Sequence, residues 1–310
     1  MGDFIGHSYI INSFKKRAVN KSLSHAHLIV GEDGIGKSKL ARVFALQILG
    51  GIDTRQYVDI INYHPKKASF GVDEVRELIA EVNKKPFEGN KKVIIIHEGN
   101  KLTIQAQNAL LKTIEEPPTG VFIIILCESL ELILDTIKSR CQIYKLTPLS
   151  KSEITEYIEN IKGNATKEEI LAALAYSEGV PGRAERFLID SNLRNLRQLL
   201  LDVLNEANNG AADVLLEYEN LLLSYKDNKD EILNILTSFI RDIMVYKELN
   251  DISLIINGDK ITHLKKLAIG MSYRKLNKIL DKIKEARINL LSNSNFNITI
   301  RVMLIGFMEV

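Results

Sequence analysis

Short β-branched and apolar runs alternate with amphipathic stretches over roughly the first 150 residues, a pattern that predicts a parallel sheet covered by helices on both faces. Five runs read as strands: His27–Val30, Val58–Ile61, Val93–Ile96, Val121–Leu126 and Gln142–Leu146. The third and fourth are apolar throughout, as central parallel strands buried on both faces should be. Between the second and third runs, Val72, Val75, Leu78, Ile79 and Val82 share one helical face, with Arg76, Glu77 and Glu81 opposite. Thr103–Glu116 is a second amphipathic segment, stopped by Pro117 and Pro118 because proline has no N–H to continue the ladder.

The strand signal ends at Pro148-Leu149, and the chain from there to Val310 reads as helical. Ser150 with Glu153, and Thr166 with Glu169, have capping-box spacing, so two short helices should start there and a third near Gly182. From about Leu193 the periodic segments lengthen, as in Ile232, Ile235, Leu236, Phe239, Ile240 and Ile243, with breaks near Gly210, Asn228, Gly258 and Asn293–Asn295. The expected organisation is an α/β domain over 1–149, a small helical domain over 150–190 and an all-α domain over 191–310.

Composition narrows the function classes. The chain has 310 residues, 45% hydrophobic and 26% charged, enough to bury more than one core. Its 41 basic side chains against 39 acidic ones leave a net charge of +2, so no strong overall field draws it to nucleic acid or lipid. Cys127 and Cys141 lie in or beside apolar runs, which suits reduced, buried thiols, and two cysteines are too few for a zinc cluster. No stretch reaches the ~18 apolar residues of a membrane span and the N-terminus carries no leader pattern, so a cytoplasmic protein is expected.

The chemistry concentrates in Gly31-Glu-Asp-Gly34-Ile-Gly36-Lys37-Ser38, a match to the P-loop pattern directly after one predicted strand and directly before a helix. Glycines there let backbone N–H groups converge on phosphate oxygens. Lys37 adds a cation, the helix its positive end, and the Ser38 hydroxyl a ligand for nucleotide-bound Mg²⁺. The second element of a P-loop ATPase is an apolar strand ending in acidic residues, but Val93–Ile96 ends in His97-Glu98. Glu98 stands where a water-polarising carboxylate would be, or is a solvated strand-end residue. His97 is a poor ligand for hard Mg²⁺. The site reads as able to bind ATP or ADP and poorly equipped to hydrolyse it.

Three further segments carry a resemblance: Asn108-Ala-Leu-Leu-Lys-Thr-Ile-Glu-Glu-Pro-Pro118, Leu132-Ile-Leu-Asp-Thr-Ile-Lys-Ser-Arg-Cys141 and Gly179-Val-Pro-Gly-Arg-Ala184. In this order they resemble the signatures of bacterial clamp-loader ATPases of the AAA+ class. Ser238–Tyr246 and Asn293–Leu304 are similar to that family's C-terminal oligomerisation collar. The resemblance implies an AAA+ domain, a helical lid and a collar. It makes Arg140 an arginine finger directed at ATP on a neighbouring subunit, although by itself Arg140 is an ordinary residue at a strand entrance. It makes Arg183 a lid arginine sensing the chain's own nucleotide, against the alternative of a surface arginine, and likens Ile5-Gly6-His7 to an adenine-pocket lining.

Departures point to a subgroup. Motor subunits of such loaders keep the acidic pair and a cysteine cluster for zinc after the P-loop helix, whereas Gly50–Tyr57 has no cysteine and His97 interrupts the pair. Delta-prime subunits of DNA polymerase III keep the arginine-finger motif while often losing hydrolysis, and Gly-Val-Pro-Gly-Arg resembles their lid motif; an intact P-loop is unusual among them. The implied partners are gamma/tau-type and delta-type subunits, with the sliding clamp and primed DNA reached through the assembly. A motor-type subunit is the alternative, and no zinc is expected.

Overall fold

The computed structural model describes residues 4–20, 22–51, 57–163, 165–210, 212–292 and 294–308, of which the side chains of 212–216 are not considered. The cysteine-free stretch after the P-loop helix lies mostly outside them, at 52–56, as do residues 1–3 and the expected break at Asn293. The chain divides into two compact units: described residues up to Tyr157 with Gly179–Gly182, and Ile158–Glu178 with the described residues from Arg183 on.

In the first unit the elements run α1 (Ser8–Val19), β1 (Ala26–Val30), α2 (Lys37–Leu49), β2 (Ile60–Tyr63), α3 (Val72–Val82), β3 (Lys92–Ile96), α4 (Ile104–Glu115), β4 (Val121–Cys127), α5 (Asp135–Lys138) and β5 (Gln142–Lys145). The five strands form one all-parallel sheet in the order β2-β3-β4-β1-β5. Alternation along the strands sorts two cores. Leu28, Val30, Ile94, Ile96, Ile123 and Ile125 face Val75, Leu78, Ala106 and Leu110 of α3 and α4. On the other face Ile29, Val93, Ile95, Ile124 and Leu126 meet Phe14, Leu40, Phe44 and Ile48 of α1 and α2. The Phe14 and Phe44 rings stack with centroids 3.7 Å apart.

Caps fix the helix starts. Thr103 accepts the Ala106 N–H at 3.2 Å to open α4, which ends before Pro117 as expected. At the start of α3 the Glu74 carboxylate accepts the N–H of the N-cap Gly71 at 3.1 Å. The second strand departs from expectation: it begins at Ile60, because the Asp59 carboxylate is buried and accepts the N–H groups of Phe87 and Glu88 at 2.6 and 2.8 Å, leaving Val58 exposed. Buried Lys92, which sequence reasoning passed over, donates to the carbonyls of Glu81 and Lys84 at 3.1 Å each and pairs with the Glu81 carboxylate, capping the C-terminus of α3.

From Lys151 on the described residues form helices α6 (Lys151–Ile161), α7 (Lys167–Ser177), α8 (Pro181–Ile189), α9 (Ser191–Asn209), α10 (Ala212–Leu223), α11 (Lys229–Leu249), α12 (Ile261–Gly270), α13 (Tyr273–Leu291) and α14 (Phe296–Met308). Both expected capping boxes form, at Ser150 with Glu153 and at Thr166 with Glu169. In the second unit α9 and α11–α14 share a core that includes Leu200, Leu204, Leu236, Phe239, Leu267, Ile279, Ile283 and Phe307. That core holds a polar network. Arg197 clasps Asp259 with two 2.9 Å bonds, donates to Asn257 Oδ1 at 2.9 Å and lies 4.4 Å over the Phe187 ring. Asn257 in turn donates to the wholly buried Asp242 and to Ser238 at 2.8 Å each, so the polar residues of the Ser238–Tyr246 segment fasten the connection between α11 and α12. Among the described residues no helix is long and apolar enough to cross a membrane.

Two outcomes follow for stability. Arg197→Ala strands Asp259 and Asn257 inside the unit and should cost about 3–5 kcal/mol in urea unfolding, the range for breaking a buried pair. His27 is buried among Phe14, Phe44 and Tyr144, and desolvation lowers its pKa from 6.5 to about 4. The unfolded chain therefore takes up this proton at higher pH than the folded one. The contribution is complete above pH 6.5 and is lost as pH falls toward 4, amounting to about 3 kcal/mol. His27→Leu should show a shallower fall in unfolding free energy across that window than the wild type.

Candidate functional site

The P-loop lies at the C-terminal ends of β1 and β4, adjacent strands whose outgoing connections leave in opposite directions, the crevice where open α/β sheets take ligands. Gly31 donates to the Cys127 carbonyl at 3.2 Å, tying the loop's start to the end of β4. Gly34 and Gly36 adopt φ +79° and +106°, conformations that side chains rarely tolerate, and Lys37 and Ser38 open α2. The Lys37 ammonium folds back onto the carbonyls of Gly31 and Glu32 at 2.8 and 2.7 Å. Burial lowers its pKa, against the raising fields of Asp33 and Glu128. Glu128, just past the end of β4, was not singled out from the sequence.

Several groups frame this crevice. Phe4 lies against Gly36, where an added Cβ would stand 3.4 Å from its ring. His7 heads α1 with φ +51°, and its buried Nε2 has no hydrogen-bond partner among the described residues. The His7 ring is 6.4 Å from that of Phe4, which in turn lies against Gly36. The Gly182 N–H donates to the Gly34 carbonyl at 2.9 Å, and a Cβ on Gly182 would fall 2.8 Å from the Gly34 Cα, so only glycine permits this approach. Arg183, the next residue, belongs to the second unit and pairs there with Glu178 at 3.1 Å.

After β3 the chain delivers His97 toward Ser38, with Nδ1 3.5 Å from the Ser38 hydroxyl. His97 Nε2 lies 2.9 Å from Asn62 Oδ1, and the His64 ring stacks on it at 3.9 Å. Desolvation, then the His64 charge, lowers the His97 pKa to about 4, so the ring is neutral at pH 7. Asn62 and His64 belong to the end of β2 and its following turn, and only the β2–β3 pairing brings them here. Glu98 occupies a left-handed turn at φ +51° and is ion-paired to Lys101. The side chains beside Ser38 thus match a Mg²⁺ ion poorly: the neighbouring one offers an imidazole nitrogen, and the carboxylate that follows it is engaged elsewhere.

Arg140 stands at the opposite edge of the sheet. Strand β5 pairs with β1 in the register His27↔Gln142, which sets Arg140 level with His25, about 20 Å of chain away from the P-loop. Its Nε meets Glu115 Oε1 at 2.5 Å and its Nη1 donates to the Thr136 carbonyl at 2.8 Å. Arg140 and Glu115, with Ser24, His25, Ala26 and Ile114, line a surface cavity of about 380 Å³. Burial pushes the Cys141 thiol beside it up to about 12, and that of Cys127 to about 11, leaving both thiols inert at neutral pH.

Models of the DNA polymerase III delta subunit and of its C-terminal region match residues 6–150 and 191–305. The chain belongs to the DNA polymerase III delta-subunit family. This delta-family chain is also 32% identical over 185 residues to a DNA polymerase III gamma subunit of Buchnera aphidicola, an alignment covering 54% of the chain and 50% of the relative. It is 31% identical over 184 residues to a replication factor C small subunit of Haloarcula marismortui, covering 57% of the chain and 54% of the relative. It therefore spans about half the length of these relatives. The fold is that of a DNA polymerase III gamma subunit-related protein of Thermotoga maritima, with a TM-score of 0.54 at 16% identity over 96% of this chain and 98% of that one.

Calorimetric titration of the delta-family chain with ATP should show binding that Lys37→Ala removes, since that change deletes the cation of the loop. Gly182→Ala drives a methyl group into Gly34 and should weaken nucleotide binding by about tenfold while leaving the fold intact by circular dichroism.

Proposed function

We propose that this chain is a delta-prime-type subunit of a DNA polymerase III clamp loader, a nucleotide-binding partner that does little hydrolysis itself. In this reading it supports ATP-driven loading of the sliding clamp onto primed DNA, together with gamma/tau-type and delta-type subunits. The observation that carries the reading is the position of Arg140 at the N-terminal edge of the sheet, level with His25, across the strand length from Lys37. A guanidinium there cannot reach nucleotide at its own P-loop. In an assembly it could meet the phosphates of a neighbour. Glu115, from the Asn108–Pro118 segment, holds the guanidinium until that partner arrives.

Within this reading Gly31, Gly34, Gly36, Lys37 and Ser38 hold ATP or ADP, His7 lies against the base, and Arg183 reports on the bound nucleotide from the lid. Glu98 could polarise water only after leaving Lys101, and His97 replaces the carboxylate that a motor subunit would use, which together support weak hydrolysis. The three-part division at 149 and 190 belongs to the same proposal. A motor-type subunit is the second reading, favoured by the gamma-subunit likeness of the N-terminal half.

Arg140→Ala in a reconstituted loader should lower clamp- and DNA-stimulated ATP turnover tenfold or more, arginine fingers being worth 10³ to 10⁵ at a single site. Assembly and ATP binding by this chain should not change. Arg140→Lys should restore little, since an ammonium cannot give the planar two-point contact. A mutant loader that turned over ATP at the wild-type rate would return Arg140 to a structural partner of Glu115.

A further inference from the structure

The imidazole beside Ser38 is oriented rather than merely present. Asn62 Oδ1 can only accept a hydrogen bond, so the 2.9 Å contact fixes the proton on His97 Nε2 and leaves the Nδ1 lone pair facing the Ser38 hydroxyl. An amide oxygen holding the far nitrogen of a histidine is the outer-shell arrangement that metal-ligating imidazoles use. Stacking on His64 at 3.9 Å, with the rings 16° from parallel, further restricts rotation of the ring. The spacing is suitable as well. Two donors each about 2.1 Å from one ion stand about 3.0 Å apart at a right angle and about 3.4 Å apart at the tetrahedral angle, and Ser38 Oγ and His97 Nδ1 are 3.5 Å apart.

The described residues contain no group of three or more His, Cys, Asp or Glu side chains placed to hold an ion, so an ion here needs phosphate oxygens to complete its shell. Mg²⁺ prefers an all-oxygen octahedron and sheds water reluctantly, whereas first-row transition dications accept imidazole readily and more strongly from Mn²⁺ toward Co²⁺ and Ni²⁺. We propose that the nucleotide of this chain is bound with a transition-metal dication in preference to Mg²⁺, with His97 Nδ1 and the Ser38 hydroxyl as the protein donors. The proposal rests on the reading that nucleotide binds at Lys37, and it adds the cation's chemical class.

Two measurements on the full chain separate the ideas. The first is the spin-echo modulation of the complex of wild-type protein, ADP and Mn²⁺. Mn²⁺ has the weakest pull on nitrogen in the series, so a ¹⁴N coupling that disappears in His97→Gln is a stringent sign of a metal–imidazole bond. The second is calorimetric ATP affinity with Co²⁺ and with Mg²⁺: the Co²⁺/Mg²⁺ affinity ratio should be about tenfold higher in the wild type than in His97→Asp, which restores an oxygen donor. Mn²⁺·ADP bound without nitrogen coupling, or equal ratios in the two proteins, would overturn the cation assignment and leave the nucleotide site standing. No binding of ATP with either cation would remove the nucleotide reading, and this proposal with it.

Discussion

The common direction of the five strands is the constraint on which the functional geometry of the first unit depends. A parallel sheet has one edge where every strand ends and another where every strand begins, and the chain must cross the strand length to pass between them. The P-loop follows β1, His97 follows β3 and Glu128 follows β4, so all three collect at the ending edge. Ser24, His25 and Arg140 precede β1 and β5 and collect at the other. The separation of Arg140 from Lys37 is thus a property of the sheet and not of any single side chain. It persists as long as β1 keeps its place between β4 and β5.

At the ending edge the P-loop pattern is intact, while the position after β3 that would carry its acidic partner holds His97. The loop keeps its positive-φ glycines and its lysine, and Gly182 is packed against Gly34 so closely that a methyl group would displace the backbone. The carboxylates needed to position a hard cation and a water are missing or engaged: His97 is held by Asn62, and Glu98 by Lys101. The same edge therefore combines a glycine loop of P-loop pattern with a neutral imidazole nitrogen beside the Ser38 hydroxyl.

Much of this was legible because it depends on local pattern. Apolar runs of four residues at β3 and seven at β4 cannot be solvated on either face, and the apolar stripe of α3 has one helical solution, so Val72–Val82 forms over the residues its periodicity marks. The start of β2 was misplaced because Val58 has the right side chain, while the long-range bonds of Asp59 to Phe87 and Glu88 decide where pairing begins. The partners of the candidate site were hidden for the same reason. Asn62 and His64 are 35 and 33 positions from His97, and Glu115 is 25 from Arg140; only strand pairing and helix packing bring them together. Arg197 carries no local signal of its role, because its partners Asn257 and Asp259 are 60 and 62 positions away.

We propose that this chain binds nucleotide through its P-loop yet lacks the means to hydrolyse it unaided. Steady-state ATP turnover by the purified chain, without other loader subunits, clamp or DNA, tests that most directly when calorimetry on the same sample shows the site filled. The account predicts a filled site with turnover far below about one per second, the lower end of the usual enzyme range. Turnover at or above that rate by the chain alone would contradict it and make the chain a motor.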